Sequence, residues 1–246
     1  MPVHVERRGR VEVLTIDDAE RRNVLSDELV AGIVAAIDAA EADEGVGALV
    51  VTGAGKAFCA GADLSDLAAM GSGAREPGSV VGVYEGFLRV LRSPLPTVAA
   101  VNGPAVGAGF NLALAADLRI AGESARFDAR FLQIGIHPGG GHTWLLDRAV
   151  GPQAAAAIDL FGNRLDGAAA ARIGLAWECV PDAELLDRAV EHATRAAEAP
   201  RELSIRTKAT LRRAHATPTH DEALAHELTD QVWSFGQPWF AERTGR

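Results

Sequence analysis

Residues 97–122 (TVAAVNGPAVGAGFNLALAADLRIAG) carry small side chains where a backbone can approach a ligand closely. Gly107, Ala108 and Gly109 stand where a helix is expected to begin. A helix start offers unpaired N–H groups and the positive end of the dipole, a socket for a polarised or negatively charged oxygen. A second such segment comes earlier, Lys56-Ala57-Phe58-Cys59-Ala60-Gly61-Ala62-Asp63-Leu64, after the apolar run 48–51 and before an expected helix. Two backbone N–H groups aimed at one point form an oxyanion hole, each donor lowering a barrier by about 3 kcal/mol. Either segment alone reads equally well as a glycine turn that merely packs. Together, in this order, they point to oxyanion chemistry.

These sockets need elements to hold them. The stretch from Thr97 to Ala116 has no charged residue, and about 20 apolar residues cross a bilayer. Asn102, Gly103, Pro104, Gly107, Gly109 and Asn111 interrupt it, so a strand (98–101), a tight turn (102–104), a helix (about 107–116) and a second strand (118–121) are expected instead. Val98-Ala-Ala-Val101 lacks polar alternation, which predicts a strand covered on both faces. Upstream, 11–16 reads as a strand. Ser26 reads as an N-cap for a helix whose apolar face is Leu29, Val30, Ile33, Val34 and Ile37, followed by a strand at 47–52. Strand, helix, strand predicts a right-handed crossover between parallel strands.

Residues 70–79 (MGSGAREPGS) read as a mobile, substrate-facing loop before a helix at 80–92. Downstream, 125–128 reads as a short strand and His137-Pro-Gly-Gly-Gly141 as a loop opening a helix. Further short helices are expected at 153–160 and 167–173, and a last strand at 175–180. From Pro181 onward the pattern is helical.

The 246 residues are 48% hydrophobic and 23% charged, a composition for one sizeable globular domain or a domain with an appendage. A net charge of −9 argues against nucleic-acid or anionic-membrane binding through a basic surface. Cys59 and Cys179 form no C-x-x-C pair, so neither a zinc site nor a disulfide framework is expected. Cys59 lies in the site loop without a basic neighbour and reads as a small buried residue rather than a nucleophile. Gly53-Ala-Gly-Lys56 lacks the full phosphate-loop spacing. No apolar signal segment is read at the N-terminus, and a cytoplasmic protein is expected.

Taken together, Arg22-Asn23-Val24-Leu25, 57–64 (AFCAGADL), 102–109 (NGPAVGAG), 116–120 (ADLRI) and 135–141 (GIHPGGG) resemble the crotonase superfamily, the enoyl-CoA hydratase/isomerase family, over nearly the full length. The resemblance implies an α/β fold with a crotonase-like ββα spiral core over 1–190 and a C-terminal α-helical oligomerisation region over 191–246. It implies an acyl-CoA ligand, with coenzyme A as part of the thioester substrate and no permanent cofactor or metal, in a homotrimer or hexamer. The enzyme would be of lyase or isomerase type. By motif position the oxyanion N–H donors would be those of Ala62 and Ala108. Ala60, Gly61, Asp63, Leu64 and Gly107 would line the ligand. Arg22 and Lys56, with Arg21, would contact phosphate, although solvated surface charge explains them equally well.

Family hydratases carry two glutamates, one three residues after the second oxyanion residue and one about 20 residues later. Here those positions are Asn111 and Phe131. Asn orients water but does not take its proton near neutral pH, and Phe does neither. Two-glutamate hydration is therefore not expected, and Asn111 and Phe131 are expected to line the acyl pocket. The remaining acid/base candidates are His137, His142 and Asp128, each with a competing structural role. Isomerisation, thioester hydrolysis, decarboxylation, a carbon–carbon bond reaction and non-catalytic acyl-CoA binding all stay open.

Overall fold

The computed structural model describes residues 2–245. In chain order it comprises β1 (Val3–Arg8), β2 (Val11–Ile16), α1 (Asp27–Ala42), β3 (Ala48–Gly53), α2 (Leu64–Gly71), α3 (Val80–Arg92), β4 (Thr97–Val101), β5 (Pro104–Val106), α4 (Ala108–Ala115), β6 (Leu118–Gly122), β7 (Arg126–Asp128), α5 (His142–Asp159), β8 (Leu165–Asp166), α6 (Gly167–Arg172), β9 (Glu178–Val180), α7 (Leu185–Ala197), α8 (Arg201–Ala214), α9 (His220–Phe235) and α10 (Pro238–Thr244). Six strands form the main sheet in the order β1-β2-β3-β4-β6-β9. Within that sheet, among the described residues, only the β1–β2 pair is antiparallel. A small second sheet, β5-β7-β8, stands beside it.

The unbroken apolar runs of β3 and β4 follow from burial on both faces. Leu49, Val51, Ala99 and Val101 pack with α1, α3 and α4 into one cluster. Their neighbours Val50, Val98 and Ala100 pack with Leu185, Ala189 and Ala193 of α7 into another. α7 therefore covers one face of the sheet and runs across residue 190. Beyond it, α8 is tied back through Lys208, whose Nζ reaches the Leu95 carbonyl and Asp117 Oδ2 at 2.5 Å each.

The mixed α/β architecture is as the sequence implies, and Ser26 does cap α1, accepting from the Leu29 N–H at 3.3 Å. Four local features differ. β5 forms between the Asn102–Pro104 turn and α4, because its backbone pairs with both residues 58–59 and β7. The helices expected around 143 and 153–160 are one element, kinked at Gly151 (φ 77°, ψ 167°) before Pro152. Only 178–180 of the last expected strand pairs, since 175–177 is a turn in which the Trp177 N–H donates to the Arg119 carbonyl. β1 and β8 were not legible from periodicity. The expected apolar stretch 97–116 is split among β4, β5 and α4, and no helix among the described residues is long and apolar enough to cross a membrane.

Candidate active site

The two sockets are brought together by backbone zippering. The Phe58 and Cys59 N–H groups both donate to the Pro104 carbonyl, at 3.1 and 3.0 Å, and the Val106 N–H donates to the Cys59 carbonyl at 3.0 Å. Gly109 has to lack a side chain, because a β-carbon there would collide with that same Cys59 carbonyl. Gly61 (φ 91°) meets two constraints. A β-carbon would strike the Val106 carbonyl and lie 3.2 Å from the Ala108 amide nitrogen. The Gly61-Ala62 turn thus lies against the first turn of α4. Among the described residues, neither the Ala62 nor the Ala108 N–H is committed to a backbone carbonyl.

Two asparagines hold this arrangement from behind. Asn23, fully buried in a left-handed conformation (φ 58°), donates its amide toward the carbonyls of Ala54, Ala57 and Phe58 and accepts from the Asp18 N–H. Asn102 donates to the Gly53 and Gly55 carbonyls and accepts from the Gly53 N–H. Each side chain satisfies backbone groups of residues 53–58, at and after the end of β3.

A cavity of about 930 Å³ opens above the two turns. Of the residues read from sequence, Arg21, Arg22, Ala60, Ala62, Asp63, Leu64, Gly107, Ala108, Asn111, Asp128, Phe131 and His137 all line it. Lys56, Gly61 and His142 are absent from its wall. Among the described residues, 70–79, expected to face the substrate, are absent from its wall; the segment is tethered by Arg75, whose guanidinium meets Asp66 at 2.8 Å and Ser79 Oγ at 3.0 Å.

A profile of the enoyl-CoA hydratase/isomerase family matches residues 6–237. The chain belongs to the enoyl-CoA hydratase/isomerase family. It is 50% identical over 250 residues to a Mycobacterium tuberculosis protein named probable enoyl-CoA hydratase echA14, covering 98% of this chain and 95% of the relative. It is 40% identical over 200 residues to the 1,2-epoxyphenylacetyl-CoA isomerase of Escherichia coli, covering 80% and 76%. The crystal structure of an enoyl-CoA hydratase from Bacillus anthracis superposes with a TM-score of 0.91 at 27% identity, covering 100% and 97%. The crotonase fold and a hydratase/isomerase-family enzyme are therefore established for this chain.

Within this family enzyme the carboxylates of the cavity wall are engaged elsewhere. Asp63 caps α2. Hydrogen bonds from the Ser65 hydroxyl and N–H, with Arg21 adding its charge, hold its carboxyl below the usual range. Asp128 is buried between Arg130 and Arg164, each 3.1 Å away. Asp166 caps α6 through the Ala169 N–H. Cys59 is fully buried and points away from reactivity, since burial pushes its thiol up to about 12.

The three acid/base candidates separate. His137 is an exposed wall residue whose Nδ1 lies 2.7 Å from the Pro138 carbonyl, so that nitrogen donates to it. Asp128 is held by its two arginines. His142 is completely buried with both ring nitrogens occupied, and it offers neither to the cavity. Asn111 is also occupied, donating to the Gly139 carbonyl at 3.0 Å and accepting from His142.

One wall residue had no signal in the sequence pattern. Tyr84, on α3, places its hydroxyl where a β-carbon of Gly139 would otherwise stand. It is the only tyrosine in the chain. Nothing in the expected helix at 80–92 sets it apart, and only the packing of α3 against the glycine loop shows where its hydroxyl lies.

Proposed function

We propose that the chain acts on an acyl-CoA thioester whose carbonyl oxygen is held by the Ala62 and Ala108 N–H groups, and that its reaction is of isomerase type. The observation that carries this reading is the side-by-side packing of the Gly61-Ala62 and Gly107-Ala108 turns at the floor of one cavity, with both alanine N–H groups uncommitted. Such donors stabilise the oxyanion of an enolate in a site that excludes water. His137 Nε2 is the base we assign. It takes a proton from the carbon between the thioester carbonyl and the double bond, the electron pair delocalises through that carbon onto the thioester oxygen as a dienolate, and the protonated base delivers a proton to the far end of the dienolate as the double bond shifts into conjugation. No water is added and no group leaves. The Escherichia coli 1,2-epoxyphenylacetyl-CoA isomerase among the relatives supports an isomerase-type reaction on a CoA thioester.

Two-carboxylate hydration is less well supported, because Asn111 and Phe131 stand at the two expected carboxylate positions and the amide of Asn111 is already bonded on both sides. Arg21 and Arg22 at the rim are the phosphate contacts we assign. Lys56 lies outside the wall, and we give it no role.

For residues 191–246 we propose the oligomerisation region. α9 exposes Leu224, Leu228, Val232 and Phe235, each more than half accessible, at helical spacing along one face. A trimer or hexamer would cover that stripe, and light scattering on the purified protein measures it directly.

The deciding experiment offers 3-enoyl-CoA and 2-enoyl-CoA thioesters in deuterated water, following conjugated-enoyl absorbance and product mass, with thioester binding measured by calorimetry. An isomerase converts the 3-enoyl thioester to the conjugated one and adds no water. Loss of conjugation with gain of one water from the 2-enoyl thioester would make it a hydratase. Saturable binding without turnover of either would remove both assignments.

A further inference from the structure

We propose that His142 and Asp159, at opposite ends of α5's sequence, form a buried positioning pair that fixes Asn111 and Phe131 on the wall of the cavity. The pair is one chain of contacts. Asp159 Oδ1 lies 3.0 Å from His142 Nε2, and His142 Nδ1 lies 2.6 Å from Asn111 Oδ1. Asn111 Nδ2 donates to the Gly139 carbonyl at 3.0 Å. The imidazole edge packs against Phe131, with ring centroids 4.9 Å apart at 60°, and against Phe110, at 5.3 Å and 71°. Five segments therefore meet at His142: both parts of the kinked α5, the first turn of α4, the glycine loop, and the stretch after β7 that carries Phe131.

The hydrogen bonds fix where the protons sit. The Gly139 carbonyl only accepts, so the Asn111 amide nitrogen faces it and the Asn111 oxygen faces His142. Nδ1 must then donate. Nε2 faces a carboxylate oxygen, so a further proton lies between Nε2 and Oδ1. The pair is held as imidazolium against carboxylate, or as a proton shared between them. A buried charged group is tolerated when paired and bonded in this way.

Asp159 has a second environment. Its side chain, 10% exposed, lines a separate cavity of about 330 Å³ together with His137 and Asp147. The chain thus runs from that second cavity to the wall of the first. Its inner end is not passive scaffold. Asn111 and Phe131 both face the main cavity, and the Asn111 N–H donates to the Gly107 carbonyl at 3.0 Å, in the turn that begins with Ala108. His142 acts through these neighbours and touches no ligand.

The functional consequence rests on the acyl-CoA reading, and the test separates the two. Nitrogen-edited NMR of the wild-type protein should show two exchange-protected protons on the His142 ring, and only one in Asp159→Asn. His142→Gln places a carbonyl oxygen against either Asp159 or Asn111 Oδ1. It should lower kcat about 10- to 100-fold, as displaced wall residues do, with little change in KM or in thioester affinity. It should also lose the protected Asn111 side-chain amide signals. Adding Asp159→Asn supplies a donor for the glutamine oxygen and should restore most of the loss, which a merely stabilising role would not do. One ring proton in the wild type, unchanged kcat in His142→Gln, or a double variant no better than the single would each overturn the proposal. If the wild type neither binds nor turns over a thioester, the acyl-CoA reading fails, while the ring protons and Asn111 amide signals still decide the pair.

Discussion

Ala108→Pro removes one proposed oxyanion donor while asking little of the fold. Ala108 is the first residue of α4, a position where a helix accepts proline because the N–H has no intrahelical partner. The residue before a proline is pushed out of the α region, and Gly107 (φ 53°, ψ −114°) already lies outside it. No backbone hydrogen bond is lost, since the Ala108 N–H donates to no carbonyl among the described residues. The effect on chemistry is large by comparison. Loss of one oxyanion donor costs about 10²–10³ in kcat, or roughly 3–4 kcal/mol. The ring's Cδ also occupies the space into which the N–H pointed, beside Gly61, so the true loss should sit at the upper end of that range. The assay is kcat for 3-enoyl-CoA isomerisation, with the thermal midpoint and thioester affinity measured on the same sample. Ala108→Gly is the control, because it keeps the N–H and should stay within a few-fold of wild type. A folded Ala108→Pro protein with full turnover would refute the oxyanion assignment.

His137→Gln should lower kcat by about 10²–10⁴ with thioester affinity kept, the range for losing a general base, and calorimetry beside steady-state kinetics separates the two effects. Asn23→Ala strands the Ala54, Ala57 and Phe58 carbonyls that its amide satisfies and should cost roughly 2–4 kcal/mol in urea unfolding. Burial pushes the Cys59 thiol up to about 12, so iodoacetamide at pH 8 should leave it unmodified in the folded protein and alkylate it after unfolding, as peptide mapping would show. Burial pushes Lys208 down from 10.5 to about 8. Between those values the native state sheds a proton that the unfolded state keeps, so stability rises with pH there. Lys208→Met should lack that rise, and the stability difference between the two proteins should change between pH 8 and 10.

The fold was legible wherever one residue type answers one geometric demand. The covered strand Val98–Val101, the Ser26 cap and the two glycine-bearing turns are of that kind, and each stands where periodicity and turn chemistry put it. β1 was not, because four of its six side chains are exposed and its pairing comes from the hairpin with β2. The two glycine-bearing turns were legible because close backbone packing leaves a signature in small residues. Side-chain placement was less legible. His137 and His142 are five residues apart in one motif, yet the αL glycines Gly140 and Gly141 turn the chain between them, so one faces the cavity and the other is sealed beneath it.

The glycine loop explains why Tyr84 was hard to find. Glycine at 139 leaves room for the Tyr84 hydroxyl from α3, and a side chain at 140 would strike the Phe87 ring. The three glycines therefore contribute carbonyls and space, and Tyr84 of the neighbouring helix brings a hydroxyl to the wall that His137, at the head of the loop, also lines. Tyr84→Phe removes that hydroxyl alone and leaves the ring packing against Phe87 intact, at its 5.6 Å centroid distance. If the hydroxyl bonds to substrate or enolate, kcat should fall about 10-fold or more, within the range of losing one bond made in the transition state, while thioester affinity and thermal midpoint stay put. An unchanged kcat would leave His137 as the one proton-transferring side chain on this wall.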